Sequence, residues 1–385
     1  MKTMRRTALW HVIALMTAVL VLQGCGTTTQ PQTQKQKQTT HHPKKTQAST
    51  APQYFRGALP ALDAVQFLSS NEGFVAGQGI VLATSDGGQD WTRIYQGSQT
   101  IAAVAFPSAT QGYALTTGGQ VLAWQQGGSQ WQPLAGLPGS ASAIWLSGTS
   151  IGQLLTTQGT LYRPAASAGA WQAESPKGVI AASFDGSTGW AVTGGSSTAP
   201  EVWLTQNGGA SWSSSFSPKL GQATGWSATI SSAAGTAWLL LTSSSGQSEH
   251  QPYVAYVTHD LGQHWQEILG AALFAGQGMY PAAPSSLYGL QAGPVTGGAQ
   301  SAYFVSWKPG NPNDVLAVTA TPDGGQSWQQ LPVQGVAHAA TPYFFHPLGV
   351  AALPGGTLWL VGSRSGAGTM LVSHDGGGSW QALTP

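Results

Sequence analysis

The stretch Thr84-Ser85-Asp86-Gly87-Gly88-Gln89-Asp90-Trp91 decides the fold, because the chain writes it again at regular intervals. Residues 258–265, 321–328 and 373–380 fit the same pattern, Ser/Thr-x-Asp-x-Gly-x-x-Trp. A pattern that recurs at the spacing of one small structural unit is typical of a repeat architecture. The sequence is therefore read first as an array of repeats.

Three weaker copies complete the array. Residues 205–212 keep the pattern with Asn207 in place of the Asp, residues 124–131 keep Gly128 and Trp131, and residues 164–171 keep the Trp alone. The seven Trp residues are separated by 40, 40, 41, 53, 63 and 52 positions. Seven copies at this spacing predict seven repeats.

The local chemistry of the motif predicts a turn between two strands. Runs rich in Val, Leu and Ala precede the copies, and a short polar–apolar run such as Trp91-Thr92-Arg93-Ile94 follows. The Asp can accept backbone N–H groups of its own turn, Gly supplies the positive φ, and Trp packs beside the sheet. We expect a structural role for the motif residues and not a catalytic one. They are Asp86, Trp91, Asn207, Trp212, Asp260, Trp265, Asp323, Trp328, Asp375 and Trp380.

Each repeat contains four strand-like runs, three before the motif and one after it. In the second repeat these are residues 101–106, 112–117, 120–125 and 131–134. Four short strands per repeat, with Gly and Ser turns and no helical periodicity, indicate a blade of a β-propeller. The prediction is an all-β domain over residues 54–385, a seven-bladed β-propeller of four-stranded antiparallel blades.

The motif resembles the Asp-box, or bacterial neuraminidase repeat, of sialidases, xyloglucan hydrolases, sortilin-type receptors and the photosystem II stability/assembly factor family. A second pattern, seen at Gly73-Phe74-Val75, Gly112-Tyr113-Ala114 and Gly189-Trp190-Ala191, looks most like the last family. That resemblance implies a seven-bladed binding or assembly protein, often lipid-anchored. The binding face of that family is rich in arginine, and this chain is poor in arginine.

Residues 1–25 look like a lipoprotein signal peptide. Basic residues at Lys2, Arg5 and Arg6 precede an apolar run over residues 8–22 that is too short for a comfortable membrane span. The run ends in Leu22-Gln23-Gly24-Cys25, which resembles a bacterial lipobox. Cys25 is the single cysteine of the chain and cannot form an internal disulfide. We expect Cys25 to be lipidated and the protein to lie on the extracytoplasmic side of the cell membrane.

Residues 26–53 are predicted to form a disordered tether. They are rich in Thr, Gln, Lys and Pro and have almost no large apolar side chains to bury. Lys35, Lys37, Lys44 and Lys45 have no acidic residue among them, so an anionic membrane or wall would attract the segment. A solvated spacer explains the composition equally well.

The charge of the propeller excludes nucleic acid as a partner. From Tyr54 onward seven Lys or Arg face thirteen Asp or Glu, a net charge of −6, whereas nucleic-acid binding needs a basic face. We also expect the protein to be a monomer.

The later repeats are longer than the first three, and the alternation of strands assigns their extra residues to the edge opposite the motif turns. Loops longer than closure requires are where binding functions are usually added. We therefore expect a ligand-binding patch for a protein segment or a cell-wall glycan there. An alternative is that Tyr343, Phe344 and Phe345 only pack a long loop against the last blade. The candidate residues are Glu249, His250, Tyr280, Lys308, Asp314, His338, Tyr343, Phe344, Phe345 and His346.

Enzyme functions receive little support from the residues. A sialidase would need three arginines and a Tyr/Glu pair, and a xyloglucanase would need two facing carboxylates and, in that family, two propellers. No such set is recognisable, the histidines lack metal-site spacing, and we expect no catalytic residue, metal or cofactor. The predicted function is a non-enzymatic binding or scaffold module; the alternative is a glycan-active hydrolase with an unfamiliar carboxylate pair.

Overall fold

In the computed structural model the described residues form twenty-six strands, and among them no helix is long and apolar enough to cross a membrane. From Ala141 onward the described strands come four to a repeat, as the sequence predicts. The described residues are 54–126, 130–167, 169–195, 197–220, 224–244, 251–271, 287, 291–308, 315–333, 345–364 and 367–383.

The first six strands form one antiparallel sheet in chain order, and the next four form a second sheet. The first sheet contains β1 (Leu62–Phe67), β2 (Gly73–Thr84), β3 (Thr92–Ser108), β4 (Gln111–Thr116), β5 (Val121–Gln125) and β6 (Gln132–Pro133). The second contains β7 (Ala141–Ser147), β8 (Ser150–Thr156), β9 (Thr160–Pro164) and β10 (Trp171–Lys177).

Four further sheets repeat the four-stranded arrangement in chain order. The third contains β11 (Val179–Asp185), β12 (Thr188–Thr193), β13 (Glu201–Thr205) and β14 (Ser213–Phe216), and the fourth contains β15 (Trp226–Ala233), β16 (Thr236–Ser243), β17 (Tyr253–Thr258) and β18 (Gln266–Ala271). The fifth contains β19 (Gln291–Gly297), β20 (Ala302–Lys308), β21 (Val315–Thr321) and β22 (Gln329–Pro332), and the sixth contains β23 (Phe345–Ala352), β24 (Leu358–Arg364), β25 (Ala367–Ser373) and β26 (Gln381–Leu383).

The number of sheets corrects the prediction of seven separate blades, because the described residues form six sheets. The first two repeats share one sheet. Strand β2 pairs with β1 through residues 73–77 and with β3 through residues 78–83, and β3 continues from its pairing with β2 into its pairing with β4. Where the other repeats break their strands, these two strands run on.

Seven hydrophobic clusters of described residues hold the sheets together. Each cluster joins side chains of consecutive repeats, and one joins the last repeat to the first. The first strands of neighbouring repeats also lie side by side, as β11 does with β15, β15 with β19 and β23 with β1. The core therefore lies between the sheets and closes on itself, as in a β-propeller.

The Gly-aromatic pattern is explained by contacts within the sheets. A Cβ added to Gly73, Gly112 or Gly189 would lie within 2.5 Å of the ring of Phe67, Phe106 or Phe184, respectively. These rings lie at or near the end of the first strand of a repeat and cover the start of the second. Glycine is required at these positions because a ring already fills the space where a side chain would lie.

The segment before β1 joins the first repeat to the last. Tyr54 bridges to Thr92 at the start of β3, and Pro60 bridges to Ala367 at the start of β25. Beneath this segment Trp91 packs edge-on against Trp359, with ring centroids 6.0 Å apart. Trp91 is fully buried, whereas the Trp residues of the other motif turns are half-buried.

Replacing Trp91 should therefore destabilise the chain more than replacing an equivalent Trp elsewhere. Trp91→Ala removes a fully buried aromatic from the cluster that closes the ring and should lower the free energy of unfolding by roughly 3–5 kcal/mol. Trp328→Ala is the matched control, since its Trp occupies the same motif position but is half-buried, and its loss should be smaller. Equal losses in urea unfolding would contradict the closing role of Trp91.

Candidate functional site

Each repeat presents two edges with different connections. We call the edge where the first strand ends and the fourth begins the box edge, because the motif turns 84–91, 205–212, 258–265, 321–328 and 373–380 (the box turns) lie there. We call the opposite edge, where the first strand begins and the fourth ends, the loop edge. Because consecutive strands of a repeat run in opposite directions, the order of the strands determines at which edge each strand end lies.

The box turns share one hydrogen-bond network, shown here for 321–328. The hydroxyl of Thr321 donates to Asp323 Oδ1 at 2.9 Å and accepts the N–H of Gly325 at 2.8 Å. Asp323 Oδ1 also accepts the N–H of Ser327 at 2.8 Å. In turn 205–212, Asn207 Oδ1 accepts from the Thr205 hydroxyl and from the N–H of Ser211 in the same way. The predicted turn chemistry is therefore seen in the geometry, and Asn replaces Asp without loss of these bonds.

The position after the Asp or Asn needs a left-handed backbone. Gly208, Gly324 and Gly376 have φ of 63°, 76° and 74° there. Leu261 takes φ 57° at the same position of turn 258–265, although side chains disfavour this region. The turn geometry is thus imposed by the network strongly enough to hold a leucine in it.

The box carboxylates are engaged in these bonds. The backbone N–H and then the imidazole of His264 lower the pKa of Asp260 to about 2. The hydroxyl and then the N–H of Ser327 lower the pKa of Asp323, and Ser379 does the same for Asp375. A carboxylate held ionised by its own turn is a poor general acid, and its lone pairs are already used.

Acidic residues concentrate at the box edge. Among the described residues, eight acids lie at strand ends or turns there, against three arginines. One of those arginines, Arg56, is ion-paired with Asp90 at 2.6 Å. The acids are Glu72, Asp86, Asp90, Asp185, Asp260, Glu267, Asp323 and Asp375, and the arginines are Arg56, Arg93 and Arg163.

The loop edge has a balanced charge by comparison. Lys177 and Lys219 lie at or after the end of a fourth strand, and Lys308 and Arg364 end second strands. Asp63 and Glu201 start strands at the same edge, and by sequence Glu249 and Asp314 fall in its connections. The net negative charge of the propeller therefore does not extend to this edge.

The longest connections between the described strands all lie at the loop edge. They are residues 217–225, 244–252, 272–290 and 333–344. The connections at the box edge are short, and five of them are box turns. The sequence places insertions at 244–252, 270–286, 308–314 and 332–348. Three of the longest connections coincide with these ranges and 217–225 is additional, whereas the connection 309–314 is no longer than a box turn.

The predicted ligand-binding residues lie mostly outside the described residues. The structure does place the backbone of three: Lys308 ends β20, and Phe345 and His346 begin β23, all at the loop edge. Phe345 and His346 pair with Arg364 and Ser363 of β24. The lipidation candidate Cys25 is also outside the described part. The remaining residues outside it are Glu249, His250, Tyr280, Asp314, His338, Tyr343 and Phe344.

No group of three or more His, Cys, Asp or Glu side chains that could hold a metal ion occurs among the described residues. The imidazole of His259 contacts the Thr236 hydroxyl and the carbonyl oxygen of Gly324 instead. His264 bonds Asp260 within its own turn. His259 therefore connects two neighbouring box turns, and His264 reinforces its own.

One buried acid was not singled out in the sequence. Glu174 lies in β10 with only 6% of its surface exposed, and its Oε2 accepts the indole N–H of Trp212 at 3.0 Å. Its Oε1 is buried with no partner among the described residues. The signal that could have found it is its place in the repeat, third after the repeat Trp, where most repeats have Ile or Leu.

Comparison with known proteins places the fold among propellers. The family model described as "Photosynthesis system II assembly factor YCF48" matches residues 60–182. A comparison with curated proteins found no match. The fold is similar to that of YCF48 bound to D1 peptide, at 17% identity, with 84% of this chain and 97% of that chain covered and a TM-score of 0.52.

Other solved propellers are similar to a comparable degree. A GH74 xyloglucanase from Xanthomonas campestris is 16% identical, with 86% of this chain covered and a TM-score of 0.57, and this chain covers 55% of the enzyme. A chain of the mitotic checkpoint complex is 13% identical, with 94% and 100% of the two chains covered and a TM-score of 0.52. These likenesses show an all-β propeller of four-stranded antiparallel repeats, similar to the assembly-factor type.

The box network predicts a contrast between two threonines of β21. Thr321→Val leaves the buried N–H of Gly325 without its acceptor and should lower the free energy of unfolding by about 1–3 kcal/mol. Thr319→Val is the matched control, because Thr319 is equally buried but its hydroxyl has no partner among the described residues, so the change should be neutral or stabilising. Urea unfolding measures both; equal losses would contradict the network.

Proposed function

We propose that this chain is an extracytoplasmic lipoprotein whose propeller is a non-enzymatic binding or assembly module. Lipidated Cys25 anchors it to the cell membrane, residues 26–53 form the tether, and the loop edge binds a segment of a partner protein. The observation that carries the proposal is the division between the edges. The box edge consists of short turns whose polar groups bond one another, and the loop edge holds the long connections.

The chemistry of the loop edge favours a protein segment over other ligands. Its insertions contain Tyr280, Tyr343, Phe344 and Phe345, and aromatic side chains dominate protein-binding hot spots. The balanced charge of the edge is compatible with a neutral or mixed peptide. It gives no basic face for nucleic acid.

The comparisons support a protein-binding role for the propeller without identifying its partner. A solved structure of YCF48, with the same fold, has a D1 peptide bound. The shared fold supports peptide binding by this propeller, while the scarcity of arginine here argues for a different peptide. Photosynthesis is not part of the proposal.

We also infer that the ring consists of seven repeat units, two of them in the first sheet. Seven hydrophobic clusters among the described residues, each between consecutive repeats, support this count. The first sheet spans residues 62–133, and this range contains two repeat Trp residues, Trp91 and Trp131. It therefore holds two repeat units. An experimental structure with six radial units around its axis would contradict the inference.

The anchor predicts a change in location. Cys25→Ser removes the thiol that would carry the lipid, so the chain should appear in the medium or accumulate as an uncleaved precursor. Thr27→Ser, two residues further on, is the control and should stay with the membrane. Fractionation and immunoblotting measure both. A Cys25→Ser protein that remained on the membrane with unchanged mobility would contradict the lipid anchor.

The loop edge predicts where binding is lost. In the released Cys25→Ser chain, Tyr343→Ala with Phe345→Ala should weaken capture of the partner from solubilised membranes by about 2 kcal/mol or more, because aromatic anchors carry most of an interface's energy. The control is Gln263→Ala with Gln326→Ala, two exposed residues of box turns that should leave binding unchanged. Quantitative pull-down with an unchanged melting temperature is the measurement. Loss only in the control would move the binding surface to the box edge.

A glycan-active hydrolase of the sialidase or xyloglucanase kind is the second candidate, and the likeness to the GH74 fold favours it. Glu174 is a poor choice for its acid, because it is buried between sheets and cannot reach a polymer. Release of reducing sugar from xyloglucan or of sialic acid from a sialoside, lost on changing Glu249 or Asp314, would favour this candidate.

A further inference from the structure

The residue third after each repeat Trp occupies one position in the packing between repeats. In the four repeats that precede turns 205–212, 258–265, 321–328 and 373–380, it lies in the fourth strand and packs on the second glycine of that turn. The second glycine of turn 84–91, Gly88, is instead covered by Trp359. Ile268 lies 3.2 Å from a Cβ placed on Gly325, and Leu331 lies 3.1 Å from one placed on Gly377. In chain order the seven residues are Ile94, Leu134, Glu174, Ser215, Ile268, Leu331 and Leu383.

The polarity of this position decides where the indole N–H of the next box Trp goes. In the box turns where the position is apolar, the indole N–H bonds within its own turn: Trp328 donates to Gly325 O and Trp380 to Gly377 O, both at 3.0 Å. The indole of Trp131, which is not in a box turn, donates to the carbonyl oxygen of Ile94. When the position is polar, the side chain intervenes: Trp265 donates to Ser215 at 3.2 Å. Trp212 donates to Glu174.

Ser215 shows how a polar residue fits there. Its hydroxyl accepts the indole N–H of Trp265 and donates its own hydrogen to the carbonyl oxygen of Gly262, at 3.2 Å. The serine thus forms a chain of two bonds, from the indole through the hydroxyl to the glycine carbonyl. In the box turns with an apolar residue at this position, the indole donates directly to the equivalent carbonyl. A group in this position must both accept and donate.

Glu174 takes the same position against Gly209. A Cβ on Gly209 would lie 2.2 Å from Glu174 Oε1, so the carboxyl group covers this glycine as Ser215 covers Gly262. Oε2 accepts from Trp212, and Oε1 has no partner among the described residues. An ionised carboxylate has no hydrogen to donate, whereas a neutral carboxylic acid has one, and on Oε1 it would act as the serine hydroxyl does.

The surroundings of Glu174 favour the neutral acid. Burial raises the pKa of Glu174 to about 7, against the opposing effects of the Trp212 indole N–H and the charge of Arg163. Arg163 in β9 is engaged with Gln172 at 2.9 Å. Strand β8 contributes Gln153, which is uncharged and donates to the carbonyl oxygen of Gly208 in box turn 205–212. In the described part of the chain, Arg163 is the charged group that acts on Glu174.

We propose that Glu174 is held as the neutral acid in the folded chain, donates to the Gly209 carbonyl, and so forms a proton-dependent latch between the second and third sheets. Loss of the proton removes the donor and leaves a buried negative charge against box turn 205–212. The junction is then weaker in neutral and alkaline surroundings than in acidic ones. The inference concerns the propeller alone and does not depend on the proposed ligand or anchor.

The direction of the pH effect follows from the pH at which the unfolded and the folded chain each release the proton. The unfolded chain loses this proton near pH 4.5 and the folded chain near pH 7, so stability from this group is full below pH 4.5 and declines as pH rises to about 7. Between pH 5 and pH 8 the unfolding constant should rise on the order of 70-fold through Glu174. The box aspartates, whose pKa values are lowered, stay ionised over that range in both states.

Two variants of the full chain test the latch. Glu174→Gln keeps the shape, accepts from Trp212 and donates to Gly209 at every pH; Glu174→Leu restores the apolar residue of the other repeats. Both should lose the roughly 70-fold change between pH 5 and pH 8 in urea unfolding, and both should exceed the wild type in stability at pH 8. A pH dependence in both variants equal to that of the wild type would overturn the proposal.

Two measurements on the wild-type chain keep the proposal testable if a variant does not fold. A ¹³C NMR titration of the Glu174 carboxyl carbon should have its midpoint near pH 7; a midpoint near pH 4.5 would overturn the latch. Amide exchange, corrected for intrinsic pH effects, should lose protection in turn 205–212 between pH 5 and pH 8 relative to turn 321–328, where Ile268 holds the equivalent position. Equal changes in the two turns would count against a local latch.

Discussion

A buried hydroxyl at the start of each box turn is the interaction on which the rest of this structure depends. The hydroxyl of Thr84, Thr205, Thr258, Thr321 or Ser373 accepts the N–H of the second glycine and donates to the Asp or Asn two residues on. This fixes the turn so that the second glycine presents a bare Cα to the preceding repeat. A neighbouring Trp or aliphatic side chain can then pack directly on the backbone, and sheets that share no strand become one core.

This contact between a side chain of one repeat and the second glycine of the next box turn, which we call the joint, also explains why the chain has few charged residues and many glycines. Among the described residues both ion pairs lie within a single repeat, and the packing of apolar side chains on glycine backbone provides the contact between the sheets. Polar residues that enter the joint must meet its hydrogen-bond requirements. Ser215 meets them with a hydroxyl, and Glu174 meets them as an acid that keeps its proton.

The sequence predicts the parts of this structure that are set locally. The box turns follow from residues within eight positions, and the strands follow from the runs around them, so their bounds agree with the structure from the third repeat onward. The fusion of the first two repeats into one sheet depends on whether β2 and β3 continue past Gln78 and Thr100, which alternation of side chains does not encode. The bridge from 54–60 to β25 joins positions far apart in the chain, and no repeat pattern marks it. The role of Glu174 emerges only when the repeats are aligned on their Trp and the partners of each copy are compared. The proposed binding residues lie in insertions that match no other repeat, and so neither composition nor periodicity fixes how they meet.

Under the proposed function, the two edges of the propeller have different tasks. Five box turns occupy one edge, and their donors and acceptors are used in holding the ring together. The other edge carries connections that closure does not need, and binding can evolve there without disturbing the joints.

The most direct test of this account is native-state hydrogen exchange at pH 6 of the second-glycine amides Gly88, Gly209, Gly262, Gly325 and Gly377. If the box turns are the joints of the ring, these amides should exchange only through global unfolding, with the same dependence on urea as the unfolding transition. Exchange of all five through local opening that is insensitive to urea would contradict the account.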